Sequence, residues 1–473
     1  MNSGLPMTLD QYVTAVRTHA LSPGEYLQET RKTIDRNDPQ VKAFLHTRLD
    51  AAFSEAQEAD AASPLAGAPI AVKDNIMMKG ERCTCGSRIL EHYVAPYTAT
   101  AVQALLGAGA VVPGKTNLDE FAMGSSTENS AFFPTHNPAD PSRVPGGSSG
   151  GSTAAVAAGF ALGAIGSDTG GSVRQPAAFC GVIGFKPTYG LVSRYGLVAF
   201  GSSLDCIGPI THSVRDAAIM LDIMAVHDPR DATSLRHTPI NYAASLWPTL
   251  AGKRIGMIRQ LQGLEVQPEI ARAMDSARAA AVQSGASVVD VDVPHILSAL
   301  PAYYIIAPAE CSANLGRFDG VRYGLHIDGR DMTETYSKTR NAGFGPEVKR
   351  RILVGAFVLS AGYYDAYYRK ATEVRQLITD ELDAALQKAD VLLTPTTPTT
   401  AFKLGAVTDP LEMYKADVFT IPANLAGLPA ISFPAGKDDA GLPIGLQLMG
   451  PRMGDADVLS AANVLFTALG GVS

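Results

Sequence analysis

The sequence predicts an α/β fold in which a mostly parallel or mixed β-sheet is covered by helices. Two observations support this prediction. Short apolar runs bounded by Gly, Pro or Asp recur along the chain, and segments with helical periodicity separate them. Such alternation is typical of a sheet with helices on its faces. With 473 residues, 46% of them hydrophobic, the chain is long and apolar enough to form a large core.

The N-terminal part is predicted to be helical. Residues 8–11 and 22–25 both match the capping-box pattern, the second with proline at the first helical position. A further helix rich in Ala and Glu is predicted over 51–62. We therefore expect a helical segment, residues 1–62, packed on one larger domain, residues 63–473.

The remaining predicted elements alternate along the larger domain. The runs rich in Val, Ile and Leu are predicted strands, at residues 68–72, 110–112, 254–258, 288–293, 391–393, 430–433 and 446–449. The periodic segments are predicted helices, at residues 99–107, 153–162, 270–284, 364–387 and 456–469. Residues 227–247 are polar and irregular, and we interpret them as a surface excursion.

Charge and cysteine usage exclude several classes of protein. The formal net charge is −7, which disfavours a surface for nucleic acid. The one compact basic cluster, residues 349–351, is interpreted as a solvated helix face. Five scattered cysteines show neither a redox nor a zinc spacing, so we expect reduced thiols, no metal site and a cytoplasmic protein. The run 152–167 is too short to span a bilayer, and no apolar leader precedes Asp10.

Two serines lie in unusually glycine-rich loops, Ser148 within residues 146–152 and Ser172 within residues 168–172. Glycine lets backbone amides approach a ligand closely, as an oxyanion hole requires. Lys73 ends an apolar run, so its amine could be buried, neutral and able to accept a proton from a serine. Taken alone, these residues are only suggestive, because a surface lysine at a strand end and turn chemistry in flexible loops remain the alternatives.

Two other motif matches conflict with their context. Residues 146–150 match the G-x-S-x-G nucleophile elbow, but a proline-rich loop precedes them where a strand is required. That interpretation would also need a histidine base such as His212 or His326. Residues 109–116 match the P-loop pattern, but a predicted strand lies inside it and Pro113 removes an amide from the phosphate cradle. We therefore interpret the P-loop match as accidental.

The segment 67–190 resembles the amidase signature family, through Lys73, the Gly-Gly-Ser-Ser-Gly-Gly-Ser loop, Asp-Thr-Gly-Gly-Ser at 168–172 and residues 180–188. This resemblance implies a single α/β/α domain with a mixed central sheet. It also implies a catalytic triad in which Ser172 is the nucleophile, Ser148 is a bridging serine after a cis peptide bond, and Lys73 is the base. The oxyanion hole would be formed by the backbone amides of Thr169, Gly170, Gly171 and Ser172.

Residues 116–128, 309–324 and 409–429 resemble one branch of that family, the glutaminase subunits of bacterial tRNA-dependent amidotransferases. The resemblance implies that the substrate is glutamine. Arg351 would pair with its α-carboxylate, Asp417 with its α-ammonium, and a hydroxyl would come from Tyr303 or the adjacent Tyr304. Without the resemblance, Arg351 and Asp417 would be interpreted as surface charges.

The same resemblance implies partners. We expect a heterotrimer in which a B subunit uses ATP and Mg²⁺ to activate and amidate glutamyl- or aspartyl-tRNA, and a small C subunit wraps the glutaminase chain. The tRNA would be bound mainly through the partner, and this chain would need no cofactor of its own. The alternative is a stand-alone amidase of the same family that acts on another small amide.

Overall fold

The computed structural model describes residues 7–472, in which eleven strands form one mixed sheet. The strands are β1 (Phe44–Thr47), β2 (Ile70–Lys73), β3 (Gly114–Thr116), β4 (Gly163–Asp168), β5 (Ile183–Lys186), β6 (Cys206–Thr211), β7 (Arg254–Ile258), β8 (Ser287–Val291), β9 (Val391–Pro395), β10 (Ala430–Lys437) and β11 (Pro443–Met449). Their order is β1-β3-β2-β4-β6-β5-β10-β11-β9-β7-β8. β2 is parallel to β3 and β4, β7 is parallel to β8 and β9, and the other pairs are antiparallel.

Helices cover both faces of the sheet. They are α1 (Leu9–Arg17), α2 (Pro23–Val41), α3 (Leu49–Gln57), α4 (Thr100–Gly107), α5 (Gly150–Ala157), α6 (Arg174–Cys180), α7 (Val214–Met224), α8 (Arg259–Gln262), α9 (Pro268–Gln283), α10 (Ala299–Asn314), α11 (Met332–Gly343), α12 (Pro346–Val358), α13 (Lys370–Lys388), α14 (Pro410–Lys415), α15 (Ile421–Leu425) and α16 (Asp455–Ala468). A π-helix, Tyr364–Arg369, leads into α13. The predicted α/β class with a mixed sheet is confirmed.

The core consists of layers on the two sides of the sheet. Helices α1, α4, α7, α9 and α16 pack on one face. On the other face α5 covers β2, β3, β4 and β6, α6 covers β5, β10 and β11, and α13 covers β7 and β8 with α10 packed against it. Alternation along β9 shows the division, because Val391 and Leu393 face the first layer and Leu392 faces the second.

The N-terminal segment contains more than helices. Thr8 forms the predicted capping box with Gln11, and proline is the first residue of α2. The Ser22 side chain, however, makes no capping hydrogen bond, so the second predicted capping box is wrong. Strand β1 also lies within residues 7–62 and pairs with β3 at the edge of the sheet. The division of the chain at residue 62 stays a prediction.

Several predicted boundaries shift in the structure. Residues 110–112 are not a strand; Val111 forms only an isolated bridge with Pro69, and β3 begins after Pro113, which has no N–H for the ladder. The sequence analysis missed β1, β4, β5 and β6. Strand β4 reads Gly-Ala-Ile-Gly-Ser-Asp, which has one β-branched residue, and β6 contains Pro209. Residues 227–247 form turns without a helix or strand, as predicted.

One helical stretch, Ile296–Arg317, is apolar and long enough to cross a membrane by length and composition. Half of its most apolar part is buried, and its central helix, α10, packs against α12 and α13. This is the environment of a core helix. Within residues 7–472 no second stretch meets the same criteria.

The lysine of the P-loop match serves the core. Lys115 lies on β3, is fully buried, and its Nζ is 2.8 Å from Asp74 Oδ1. We expect Lys115→Ala to lower the free energy of unfolding by about 3–5 kcal/mol, because it leaves a buried carboxylate unpaired. Thermal unfolding of the variant checks this, with the double variant Lys115→Met/Asp74→Leu expected to regain most of the loss. ATP binding by the parent chain that disappears in Lys115→Ala would contradict the structural role.

Candidate active site

Strand β2 places Lys73 on the face of the sheet that α5 covers. Ile70 and Val72 point into the first layer, whereas Ala71 points into the cluster formed with α5 and α6. Alternation therefore directs Lys73 to the same side as Ala71. The chain reaches that side again where the glycine-rich loop enters α5, so an amine and several hydroxyls meet there.

Lys73 is surrounded by serine hydroxyls. Its Nζ lies 2.8 Å from Ser148 Oγ, 2.8 Å from Ser149 Oγ and 3.0 Å from Ser167 Oγ, and the lysine is fully buried. None of these neighbours carries a charge. Burial lowers the pKa of Lys73 to about 7, against the opposing pull of the buried carboxylates Asp119 and Asp168. A substantial fraction of this amine is therefore neutral near pH 7.

The hydrogen-bond pattern limits which hydroxyl can donate to the lone pair of the neutral amine. Such an amine donates twice and accepts once. Ser149 donates its proton to the Ser167 carbonyl, so its oxygen accepts from Lys73. Ser148 and Ser167 have no other acceptor for their hydroxyl protons in the described chain, so either can donate to Lys73. Donation by Ser148 is the direction that a proton relay from Ser148 to Lys73 requires.

An ion pair holds the loop that carries Ser172. Asp168, the last residue of β4, contacts Arg174 at 3.0 Å, and both side chains are fully buried. Asp168 also accepts from the backbone amides of Gly171 and Val173, at 2.9 and 3.1 Å. Burial would raise the pKa of Asp168, but the guanidinium of Arg174 lowers it to about 2. The loop is thus wrapped around a permanent negative charge.

Ser172 is the member of the predicted triad that a substrate can reach. It retains 9% exposure, whereas Lys73 and Ser148 have none. The peptide bond between Gly147 and Ser148 is cis, as the resemblance implied. The structure contains the Lys73–Ser148 hydrogen bond but, among residues 7–472, no hydrogen bond from Ser148 to Ser172. The assignment of Ser172 as the nucleophile stays a prediction.

The amides assigned to the oxyanion hole differ in availability. Gly171 N–H donates to Asp168 Oδ1 at 2.9 Å and is therefore engaged inside the protein. Within the described chain the amides of Thr169 and Gly170 have no hydrogen-bond partner. The Thr169 hydroxyl donates to Asp205 at 2.6 Å, which anchors the other side of the loop. Thr169 and Gly170 are thus the amides best placed to bind an oxyanion.

Arg351 does not lie on a solvated helix face. It projects from α12 into the protein, is 4% exposed, and its Nε donates to Glu347 Oε1 at 2.8 Å. The rings of Tyr304 and Tyr414 lie 5.4 Å from its guanidinium carbon. Its two terminal nitrogens have no hydrogen-bond partner in residues 7–472, so they are available to a carboxylate. The interpretation of residues 349–351 as a solvated cluster was therefore wrong for Arg351.

Asp417 is a buried carboxylate on the opposite side of Tyr304. It is 7% exposed and accepts from Ser125 Oγ at 2.6 Å and from Tyr304 OH at 3.5 Å. Burial raises the pKa of Asp417 to about 7, against the stabilising hydrogen bond from Ser125. A ligand ammonium at this point would favour the ionised carboxylate.

Both tyrosines that the resemblance left open belong to the site. Tyr303 packs so closely on Gly170 that a Cβ there would lie 2.8 Å from the tyrosine hydroxyl. Tyr304 instead contacts Asp417 and stacks on Tyr414, with ring centroids 3.8 Å apart. Tyr303 is therefore placed beside the nucleophile loop and Tyr304 beside the two charged groups.

The residues that position the site were not predicted from the sequence. Ser149 and Ser167 are buried and bonded to Lys73, Glu347 is buried and bonded to Arg351, and Arg174 is buried and bonded to Asp168 at the start of the loop of Ser172. Asp168 and Arg174 were the one available signal, since two opposite charges lie six positions apart around an otherwise neutral loop. No group of three or more His, Cys, Asp or Glu side chains suited to a metal occurs within residues 7–472.

The alternative histidine base does not fit the geometry. Neither His212 nor His326 hydrogen-bonds Ser148 or Ser172 in the described chain. Burial lowers the pKa of His212 to about 4, and the pKa of His326 is raised by Asp328 at the surface. The elbow match also fails, because the residues before Ser148 form a loop instead of a strand.

The pKa of Lys73 predicts how Ser172 responds to pH. The rate at which a neutral sulfonyl fluoride modifies Ser172 should rise as pH increases through about 7 and level off above it, because only the neutral amine accepts the serine proton. Mass spectrometry at several pH values measures this rate. We expect Lys73→Met to lower it by at least about 100-fold and His212→Ala to leave it unchanged. A limb near pH 4 instead of 7 would indicate His212 as the base.

Comparison with known proteins identifies the family of this chain. The family model described as Amidase matches residues 25–459. A protein of Halothermothrix orenii, named as the A subunit of glutamyl-tRNA(Gln) amidotransferase, is 53% identical over 98% of this chain and 97% of its own length. The protein of the same name from Moorella thermoacetica is 55% identical, over 91% and 90% respectively.

Solved structures share the fold as well. The crystal structure of the A subunit of glutamyl-tRNA(Gln) amidotransferase from Thermotoga maritima superimposes with a TM-score of 0.82, at 47% identity over 97% of this chain and 94% of the other. The structure of 6-aminohexanoate cyclic dimer hydrolase has a TM-score of 0.85 at 26% identity, covering 98% and 97%. The match over residues 25–459, and identities above 50% along nearly the whole length, place this chain in the amidase signature family.

Proposed function

We propose that this chain is the glutaminase subunit of a tRNA-dependent amidotransferase. It hydrolyses glutamine and supplies ammonia for the ATP-dependent conversion of Glu-tRNA(Gln) to Gln-tRNA(Gln), of Asp-tRNA(Asn) to Asn-tRNA(Asn), or of both. Relatives at 53–55% identity that are named as the A subunit of glutamyl-tRNA(Gln) amidotransferase support the proposal. The structural observation that carries it is the pair of opposite charges, Arg351 and Asp417, buried beside the loop of Ser172.

That pair matches the charges of free glutamine. The amino acid carries an α-carboxylate and an α-ammonium, so a selective pocket needs a cation and an anion besides the oxyanion hole. Arg351 offers two free terminal NH2 groups in the planar arrangement that a carboxylate prefers. Asp417 is tied to the nucleophile loop through Thr420, whose amide bonds the Asp417 carbonyl and whose hydroxyl bonds the Gly170 carbonyl, at 3.1 and 2.7 Å.

The geometry supports amide hydrolysis in two steps. Ser172 Oγ bonds to the side-chain amide carbon of glutamine, and its proton passes to Ser148 while the Ser148 proton passes to Lys73. The amides of Thr169 and Gly170 stabilise the oxyanion. The C–N bond then breaks and the proton returns through Ser148 to the leaving nitrogen, which departs as ammonia. Water hydrolyses the acyl-enzyme along the same relay and releases glutamate.

The proposed reaction needs partners. Ammonia released to water would be protonated and lost, so it must pass directly to a protein that has activated the tRNA-bound carboxylate. We assign ATP, Mg²⁺ and most of the tRNA contact to that B subunit, and we expect a small C subunit to complete the heterotrimer. This chain then needs no cofactor and acts in the cytoplasm. The names of its relatives, each designated one subunit of an amidotransferase, support a multi-subunit complex.

The alternative is a stand-alone amidase acting on another small amide. Its support is that amide hydrolases at 26–30% identity superimpose as well as the amidotransferase subunit does. An amidase of that kind has no need for both a buried cation and a buried anion at the substrate. Glutamine kinetics of this chain, alone and with its partner subunits, separate the two functions. Absence of glutaminase activity even with partners, ATP and charged tRNA would exclude the first.

We expect Ser172→Ala to abolish glutamine-dependent amidation of tRNA in the assembled complex. Amidation with added ammonium should persist, because the amidating subunit does not need Ser172. Steady-state assays with each nitrogen donor measure the two activities. The matched control is Ser276→Ala, which removes an exposed hydroxyl on α9. If Ser172→Ala lost amidation with both glutamine and ammonium, Ser172 would have a structural role instead.

The raised pKa of Asp417 predicts a second effect of pH, on the affinity for glutamine. Because burial raises its pKa to about 7, the carboxylate becomes protonated as pH falls through 7 and loses its attraction for the α-ammonium. The KM for glutamine should therefore rise as pH falls from 8 to 6. In Asp417→Asn we expect a higher KM, by roughly 10-fold or more, that no longer changes over this range. A KM of Asp417→Asn that still follows pH would contradict the assignment.

A further inference from the structure

Glu347 connects the cation of the candidate site, Arg351, with the neighbouring helix α14. Its Oε1 accepts from Arg351 Nε at 2.8 Å and from Tyr414 OH at 2.9 Å. Tyr414 lies on α14, an exposed helix with no buried residue. Glu347 itself is 9% exposed, so its carboxylate is almost completely enclosed by neighbouring groups, including the two to which it is hydrogen-bonded.

The contact with Arg351 is directional. Glu347 occupies only the Nε edge of the guanidinium and leaves the two terminal nitrogens without a hydrogen-bond partner in residues 7–472. A planar guanidinium fixed at one edge presents the other edge at a constant angle, which suits bidentate binding of a carboxylate. Without the anchor, the long arginine side chain would have to be ordered by the substrate itself.

The hydrogen bond from Tyr414 to Glu347 connects this fixed arrangement with Asp417, the second charged group of the candidate site. The Tyr414 ring stacks on Tyr304 with centroids 3.8 Å apart and planes 21° apart, and the Tyr304 hydroxyl lies 3.5 Å from Asp417. One connected chain of contacts therefore runs through Arg351, Glu347, Tyr414, Tyr304 and Asp417. It joins the group proposed to hold the α-carboxylate to the group proposed to hold the α-ammonium.

The same residues line a cavity. Its volume is about 170 Å³, and Glu347, Arg351 and Tyr414 contribute to its lining together with other residues of α14. Tyr414 OH donates to Glu347, and in residues 7–472 this is the side-chain hydrogen bond that connects α14 to α12. Loss of the Glu347 carboxylate would therefore free both Arg351 and the α14 wall of the cavity.

We propose that Glu347 is a positioning residue that sets selectivity for a free α-amino acid amide, because it fixes Arg351 and Tyr414 around the substrate's charged end. This inference rests on the proposed glutaminase function. It concerns binding of the zwitterion alone, since Glu347 has no contact with Lys73, Ser148 or Ser172. A substrate or reagent without charges should not depend on it.

Glu347→Ala in the assembled complex tests the inference. We expect the KM for glutamine to rise roughly 10- to 100-fold, the range for loss of a hydrogen bond to a charged group, with kcat changed less than about three-fold. Glu347→Gln should recover part of the KM, because its amide oxygen can still accept from Arg351 and Tyr414. Tyr414→Phe removes one hydroxyl and should raise the KM in the same direction by a smaller factor.

A neutral probe separates positioning from general damage. The rate at which the neutral sulfonyl fluoride modifies Ser172 should be unchanged in Glu347→Ala, whereas about 10- to 100-fold more glutamine should be needed to protect Ser172 from it. The matched control is Glu334→Ala, which removes another i,i+4 ion pair, with Lys338 on α11. We expect this control to leave the KM unchanged.

The outcomes distinguish this inference from the proposed function. An unchanged KM in Glu347→Ala and Tyr414→Phe, in a complex whose parent form hydrolyses glutamine, would overturn the inference alone. Equal losses of glutamine turnover and probe reactivity in Glu347→Ala and Glu347→Gln would also overturn it, since they would show a structural role. A parent complex that never hydrolyses glutamine would overturn the proposed function.

Discussion

The chemistry of the candidate site depends on Lys73, a lysine that is buried without a carboxylate in contact with its amine. Lys73 and Lys115 lie on neighbouring parallel strands, and both are fully buried. Burial disfavours both ammonium groups, but Asp74 contacts Lys115 and raises its pKa, whereas Lys73 is surrounded by hydroxyls and its pKa falls to about 7. Lys115 thus stabilises the core as a permanent cation. Lys73 can be neutral near pH 7, because no carboxylate in residues 7–472 contacts its amine.

A lysine base needs hydroxyl partners that keep fixed positions. The neighbouring ion pair between Asp168 and Arg174 holds the segments around them in place. Arg174 bonds Asp168, the carbonyl of Thr420 and the side chains of Asn424 and Gln447, so it ties the nucleophile loop to α15 and β11. These segments are far apart in sequence and meet only in the folded sheet. The charge of Asp168 is engaged by the amides of Gly171 and Val173, whereas the amides of Thr169 and Gly170 do not bind it.

The sequence predicted those parts of the fold and site that depend on local pattern. Lys73 was found because an apolar run ends there, and Ser172 because glycines surround it. Strand β4 was missed because Ile165 is its only β-branched residue, whereas its two glycines and Asp168 are residue types depleted in strands. Arg351 was misjudged within a run of three basic residues, since only the packing of α12 on α10 shows that it points inward.

Selectivity within this fold must therefore come from outside the nucleophile core. Amide hydrolases at 26–30% identity share the whole architecture, so the sheet and its lysine do not specify a substrate. The charged groups that suit glutamine lie instead on α12 and on the segment from α14 to α15, connected through Glu347 and two stacked tyrosines. A change in those helices could alter the substrate and leave the proton relay intact. The exposed helix α14 belongs to this connection through the ring and hydroxyl of Tyr414, which lie apart from the loop of Ser172.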